Sequence, residues 1–142
     1  MPEVSAEYLR RAFIDPIRFA LLVDDEFPVY SKLIDEGSSQ AFRQTPVKDL
    51  FEFCRRQGWL CDVESRPQSV VDFEEHKHLH QSDLLILDWQ LAGENSPDAT
   101  QALRVLQRLA ASDNFNLAIV YTGANIFEVA RDMAYSLGAG EI

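Results

Sequence analysis

The chain has 142 residues, 46% hydrophobic and 25% charged, the balance of one soluble globular domain large enough to bury its own core. Thirteen Lys and Arg against 23 Asp and Glu leave a formal net charge of −10, which argues against direct binding to nucleic acid phosphates or to an anionic membrane. The N-terminus lacks the apolar stretch of a signal peptide, no apolar run approaches the ~20 residues of a membrane span, and two cysteines make no disulfide framework; a cytoplasmic protein is the expectation.

In chain order, residues 1–18 read as an N-terminal extension with a short helix over Ala6–Ile14. Phe19–Val23 (FALLV), Leu84–Leu87 (LLIL) and Leu117–Tyr121 (LAIVY) are apolar throughout rather than alternating, the pattern of strands covered on both faces. Trp59–Glu64 is a weaker strand between the first two. The connection after the first strand is long and divides into a helix at Pro28–Glu36, a Gly-Ser-Ser-Gln loop and a second helix over Pro46–Gln57, where Gly58 is a stop signal. Pro67–His80, Thr100–Ala111 and Ile126–Leu137 carry apolar residues at helical spacing. Strands alternating with helices imply βαβ units, right-handed crossovers and a three-layer α/β domain with a parallel sheet.

Ligands of open α/β sheets bind outside the carboxyl ends of the strands. Asp24 and Asp25 directly follow FALLV, Asp88 follows LLIL, and Thr122-Gly123 follows LAIVY. Crowded carboxylates repel one another, and a hard cation removes that penalty. Mg²⁺ takes oxygen ligands and commonly shares its shell with phosphate, and a carboxylate beside it can act as a nucleophile toward phosphorus. The Thr122 hydroxyl would then meet the phosphoryl oxygens, with small Gly123 and Ala124 leaving room.

Other readings compete at several positions. Asp24 and Asp25 also suit helix N-caps, and Glu26 a first-turn acid. His76 and His80 share a helix face, but nothing completes a metal site around them, and a solvated helix end is the reading preferred. Cys54 and Cys61 read as buried thiols, Trp59 as the start of a core strand, Trp89 as a residue at the pocket rim, and Glu94 and Asp98 as acids of a solvated loop.

Together, LLVDDE, LLILDWQL, IVYTGA and the terminal LGAGEI resemble the receiver domain of two-component signalling. The resemblance spans about residues 19–142 and implies a doubly wound, flavodoxin-like sheet of order 2-1-3-4, with a fifth strand beginning at the C-terminus. It implies a Mg²⁺ site from Asp25, Asp88 and the backbone carbonyl of Gln90, with Asp24 acting through water. It further implies Asp88 as phosphoacceptor from a histidine kinase, phosphotransfer protein or small phosphodonor. By the same resemblance Thr122 would be the switch hydroxyl, read out by a partner or an attached C-terminal effector domain. The family's fifth-strand lysine would fall just past Ile142, so the expectation is either that the chain is the N-terminal part of a longer protein or that the lysine is absent and the site degenerate.

The connection after Asp25 and the loop WQLAGENSPDATQ are longer than in ordinary receivers, which marks a divergent member. The alternatives are a phosphorylation-independent pseudo-receiver acting as an interaction module and a small Mg²⁺-dependent phosphohydrolase. The latter is disfavoured because Gln90 stands where an Asp-x-Asp nucleophile motif needs its second acid.

Overall fold

The computed structural model describes residues 4–35, 46–72, 77–93 and 96–138. Its strands are β1 (Phe19–Val23), β2 (Leu60–Glu64), β3 (Leu84–Asp88) and β4 (Leu117–Tyr121), all parallel in the order β2-β1-β3-β4. The helices are α1 (Ala6–Leu9), α2 (Tyr30–Asp35), α3 (Pro46–Gln57), α4 (Pro67–Val71), α5 (Thr100–Ala110) and α6 (Ile126–Ser136). A π-helical turn, Arg10–Ile14, continues α1, and a 3₁₀ turn, Lys77–Gln81, precedes β3. This is the expected three-layer α/β architecture and strand order. The expected Gly-Ser-Ser-Gln loop, Phe73, His76, Glu94 and most of the terminal LGAGEI lie outside the described residues.

Side chains alternate across a strand, so each strand feeds two cores. Leu21, Val23, Leu85 and Leu87 pack with Val70, Ala102, Val105, Leu106, Leu109 and Val129, which places α4, α5 and α6 on one face. Ala20, Leu22, Leu84 and Ile86 turn to the other face, where Val47, Leu50 and Cys54 of α3 and Tyr30 and Leu33 of α2 cover them. Helix α3 ends in a Schellman arrangement: the Gly58 N–H reaches the Arg55 carbonyl, the Trp59 N–H reaches the Cys54 carbonyl, and Gly58 takes φ of 79°. Burial pushes the Cys54 thiol up to about 12, so it stays protonated and serves packing rather than chemistry.

Several expectations are corrected. The apolar run of β4 is not covered on both faces: Ala118, Ile119 and Tyr121 are exposed, because β4 is the outer strand among the described residues. Helix α4 stops at Val71 rather than running to His80: the β-branched pair Val70-Val71 propagates a helix weakly, and Asp72, at ψ of 95°, leaves helical geometry. His80 is therefore on a 3₁₀ turn and is buried with Leu79 rather than solvated. Trp59 precedes β2 and stacks edge-on against Phe53. Cys61 is only half-buried.

The amino edge of the sheet is tied together by Asp83. Its carboxylate accepts hydrogen bonds from the backbone N–H groups of Arg18 and Phe19 at 2.9 and 3.1 Å and from the Arg18 guanidinium at 3.3 Å. Its own N–H and carbonyl join β1 and β4 through Phe19 and Leu117. Burial alone would raise the Asp83 carboxyl, but the donors of Arg18 and Phe19 outweigh it and hold the group below its ordinary value. Such a group contributes stability above its unfolded pKa and loses it as pH falls through the depressed folded value. Asp83→Ala is therefore expected to cost about 1–3 kcal/mol in urea denaturation at neutral pH. The gap to wild type should narrow at about pH 3; a gap independent of pH would contradict this role.

Candidate functional site

Strand register builds the site. Val23 pairs with Leu87, so the next residues, Asp24 and Asp88, leave adjacent strands side by side. Asp24 shares its parity with Leu22, and Asp88 with Ile86, so both carboxylates turn to the α3 side of the sheet. One carboxylate oxygen from each of Asp24, Asp25 and Asp88 lies within 4.8 Å of the others. Among the described residues this is the single group of three acid, His or Cys side chains close enough to share a metal ion. Trp89, of opposite parity, goes into the main core with Leu87 rather than to the pocket rim.

Local turns fix Asp24 and Asp88. Asp24 is buried, and its N–H continues the β1–β2 ladder to the Glu64 carbonyl at 3.1 Å. Its Oδ1 accepts from the Glu26 N–H at 2.8 Å, an Asx turn that sends the chain out of the strand. Asp88 repeats the device, with Oδ1 accepting from the Gln90 N–H at 2.9 Å. Thr122 does so through its hydroxyl, which accepts from the Ala124 N–H at 2.9 Å. The Gln90 carbonyl accepts from the Gly93 N–H at 3.0 Å, and the Gln90 side chain reaches toward Gly123. The loop acid Asp98 binds the Thr100 N–H at the start of α5.

The second oxygen of Asp24 has a partner absent from the expected site: the Tyr121 hydroxyl donates to Asp24 Oδ2. Burial, this hydrogen bond, and the charges of Asp24, Asp88 and Asp25 raise the Tyr121 phenol, in that order, and keep it a protonated donor. Parity and register bring it near the acids: Tyr121 pairs with Asp88 and follows Leu117 and Ile119 on the α3 side. At the end of β2, Glu64 adds a fourth acid to this edge, but the Arg66 N–H and guanidinium hold it.

Burial raises the Asp25 carboxyl, and the Asp24 charge adds to the rise, against a lowering backbone hydrogen bond. The donor set consists of hard carboxylate oxygens that repel while ionised, and it fits a hard divalent cation of the Mg²⁺ class. A carboxyl raised by folding favours the folded state below its unfolded pKa and loses that contribution as pH rises through the folded value. In chelator at pH 7, Asp25→Asn is therefore expected to gain up to about 1 kcal/mol in urea denaturation, the scale of an exposed charge pair. The gain should disappear at about pH 3, where both proteins carry an uncharged group at this position; a loss of stability at pH 7 would contradict the repulsion.

A model of the response receiver domain matches residues 16–141 of the chain. No curated protein and no solved structure gives a match. The matched span takes in all four parallel strands and the acids at their carboxyl edge, and the chain belongs to the response receiver domain family.

Proposed function

We propose that the chain works as a signal-transduction receiver in which Asp88 accepts a phosphoryl group and a partner or attached effector reads the result. The observation that carries this reading is the convergence of Asp24, Asp25 and Asp88 within 4.8 Å, in a chain of this family. An Asp88 carboxylate oxygen attacks the phosphorus and an O–P bond forms. The bond from phosphorus to the donor breaks, and the donor leaves with its electron pair: imidazole from a phosphohistidine, or acetate from acetyl phosphate. The Gln90 N–H orients the attacking carboxylate.

Asp25, Asp88 and the Gln90 carbonyl are the proposed Mg²⁺ ligands, with Asp24 acting through water, and the cation would neutralise the crowded acids and the transferring oxygens. The Gln90 carbonyl keeps a second lone pair beside its bond to Gly93. Thr122, an acceptor from Ala124, retains its own proton for a phosphoryl oxygen. The helix that follows Thr122, α6, presents Ile126, Phe127 and Tyr135 to solvent, apolar surface for a reader of the switch. The proposed donors are a histidine kinase, a phosphotransfer protein or a small phosphodonor, and the proposed setting is cytoplasmic. No helix of the described residues is long and apolar enough to cross a membrane.

A second reading, a pseudo-receiver that binds partners without phosphorylation, is favoured by one observation. Both Asp24 oxygens, the Thr122 oxygen and the Gln90 carbonyl already have partners within the chain. Intact mass after incubation with Mg²⁺ and acetyl phosphate separates the two. The receiver reading expects a single phosphoryl adduct, absent in Asp88→Asn and absent in chelator. No adduct with acetyl phosphate or with phosphorylated histidine donors would leave the pseudo-receiver as the account.

A further inference from the structure

Tyr121 sits at the end of β4 and hydrogen-bonds a residue at the end of β1, although β3 lies between those strands. Strands two positions apart are separated by about 10 Å. A tyrosine can span that gap toward an aspartate, and a serine or threonine cannot. The register places Tyr121 opposite Asp88, so the phenol must cross the carboxyl end of β3, where Asp88 stands, to reach Asp24. The ring is not a core residue, since Tyr121 is 39% exposed and Ile119, two residues earlier on the same side, is 50% exposed. Packing therefore does not account for its position; the hydrogen bond to a buried carboxylate does.

From this geometry we infer that Tyr121 is a positioning residue, a latch whose hydroxyl holds Asp24 Oδ2 in the metal-free protein and must let go for a divalent cation to enter. The inference rests on the cation reading of the three acids given above. The O–H is a neutral donor to Oδ2 of the buried Asp24, and it ties the ends of β1 and β4 across β3. A cation, or its bound water, that draws on Asp24 Oδ2 competes with that donor. Occupancy of the pocket is thereby coupled to release of Tyr121, the residue directly before Thr122 and the turn that leads into α6. The occupied and latched states differ in a contact at the foot of the helix with the exposed apolar residues, which is the physical requirement for a coupled switch.

The test compares wild type with Tyr121→Phe, which keeps the ring and removes the donor. Mg²⁺ affinity is measured by calorimetric titration, and melting temperature is measured in chelator and in saturating Mg²⁺. Loss of a hydrogen bond to a charged group should tighten Mg²⁺ binding by about tenfold. It should also lower the melting temperature in chelator, and saturating Mg²⁺ should close much of that difference. A Tyr121 that merely stabilised the fold would lower both melting temperatures equally and leave affinity unchanged, which overturns the latch. Weaker binding in Tyr121→Phe also overturns it, by making the hydroxyl a helper of the cation. If wild type binds no Mg²⁺ while Tyr121→Phe does, the latch is upheld in a stronger form. If neither binds, the cation reading fails, and the latch fails with it.

Discussion

The parallel pairing of β1 with β3 is the constraint on which the rest of the structure depends. With Val23 opposite Leu87, two apolar runs end at the same level, and the residue that follows each run is an aspartate on the same face. A slip of β1 by one residue would exchange Leu21 and Val23 in the main core for Ala20 and Leu22, which do not fill the same space, so the packing of two unequal faces sets this register. The apolar pattern thus holds Asp24 and Asp88 together against their own repulsion. Burial of the two strands stabilises an arrangement that electrostatics alone would disperse.

The two edges of the sheet treat charge in opposite ways. At the amino edge, Asp83 is satisfied by two backbone N–H groups and a guanidinium, and folding favours its ionised form. At the carboxyl edge, Asp24, Asp25 and Asp88 face one another, and folding disfavours the ionised form of Asp25. The donors supplied there include backbone N–H groups of the turns and one phenol. An edge of like charges, with Asp24 and Asp88 anchored by short turns and Asp25 raised by burial and by Asp24, retains electrostatic tension, as expected where function works against local stability. The Tyr121 hydroxyl is the neutral group that partly relieves it.

Much of this was legible in the sequence. Unbroken apolar runs marked β1 and β3 as covered strands, Gly58 marked the end of α3, and the acids after FALLV and LLIL marked the edge where chemistry gathers. Other parts depend on tertiary context. LAIVY reads like the other two runs, yet its place at the outside of the described sheet leaves Ile119 and Tyr121 exposed. The periodicity of Pro67–His80 resembles one helix, but the β-branched pair Val70-Val71 precedes a break, and His80 is drawn inward with Leu79. Trp89 adjoins Asp88 in sequence and reads as a residue of the pocket rim, but parity sends it to the opposite face. Tyr121, an aromatic at the end of an apolar strand, reads as packing. Only the strand order shows that its hydroxyl is within reach of Asp24.

The central claim is that the carboxyl ends of β1 and β3 form one divalent-cation site. Mn²⁺, a hard ion that takes the same oxygen ligands as Mg²⁺, reports this directly through paramagnetic broadening of backbone amide signals. At substoichiometric Mn²⁺, broadening should centre on Asp24, Asp25 and Asp88 and extend to Thr122, with Mg²⁺ reversing it. The amides of Arg18, Asp83 and Asn116, at the opposite edge, should keep their intensity. Broadening scattered over other acidic surface, or none at the ends of β1 and β3, would contradict the account.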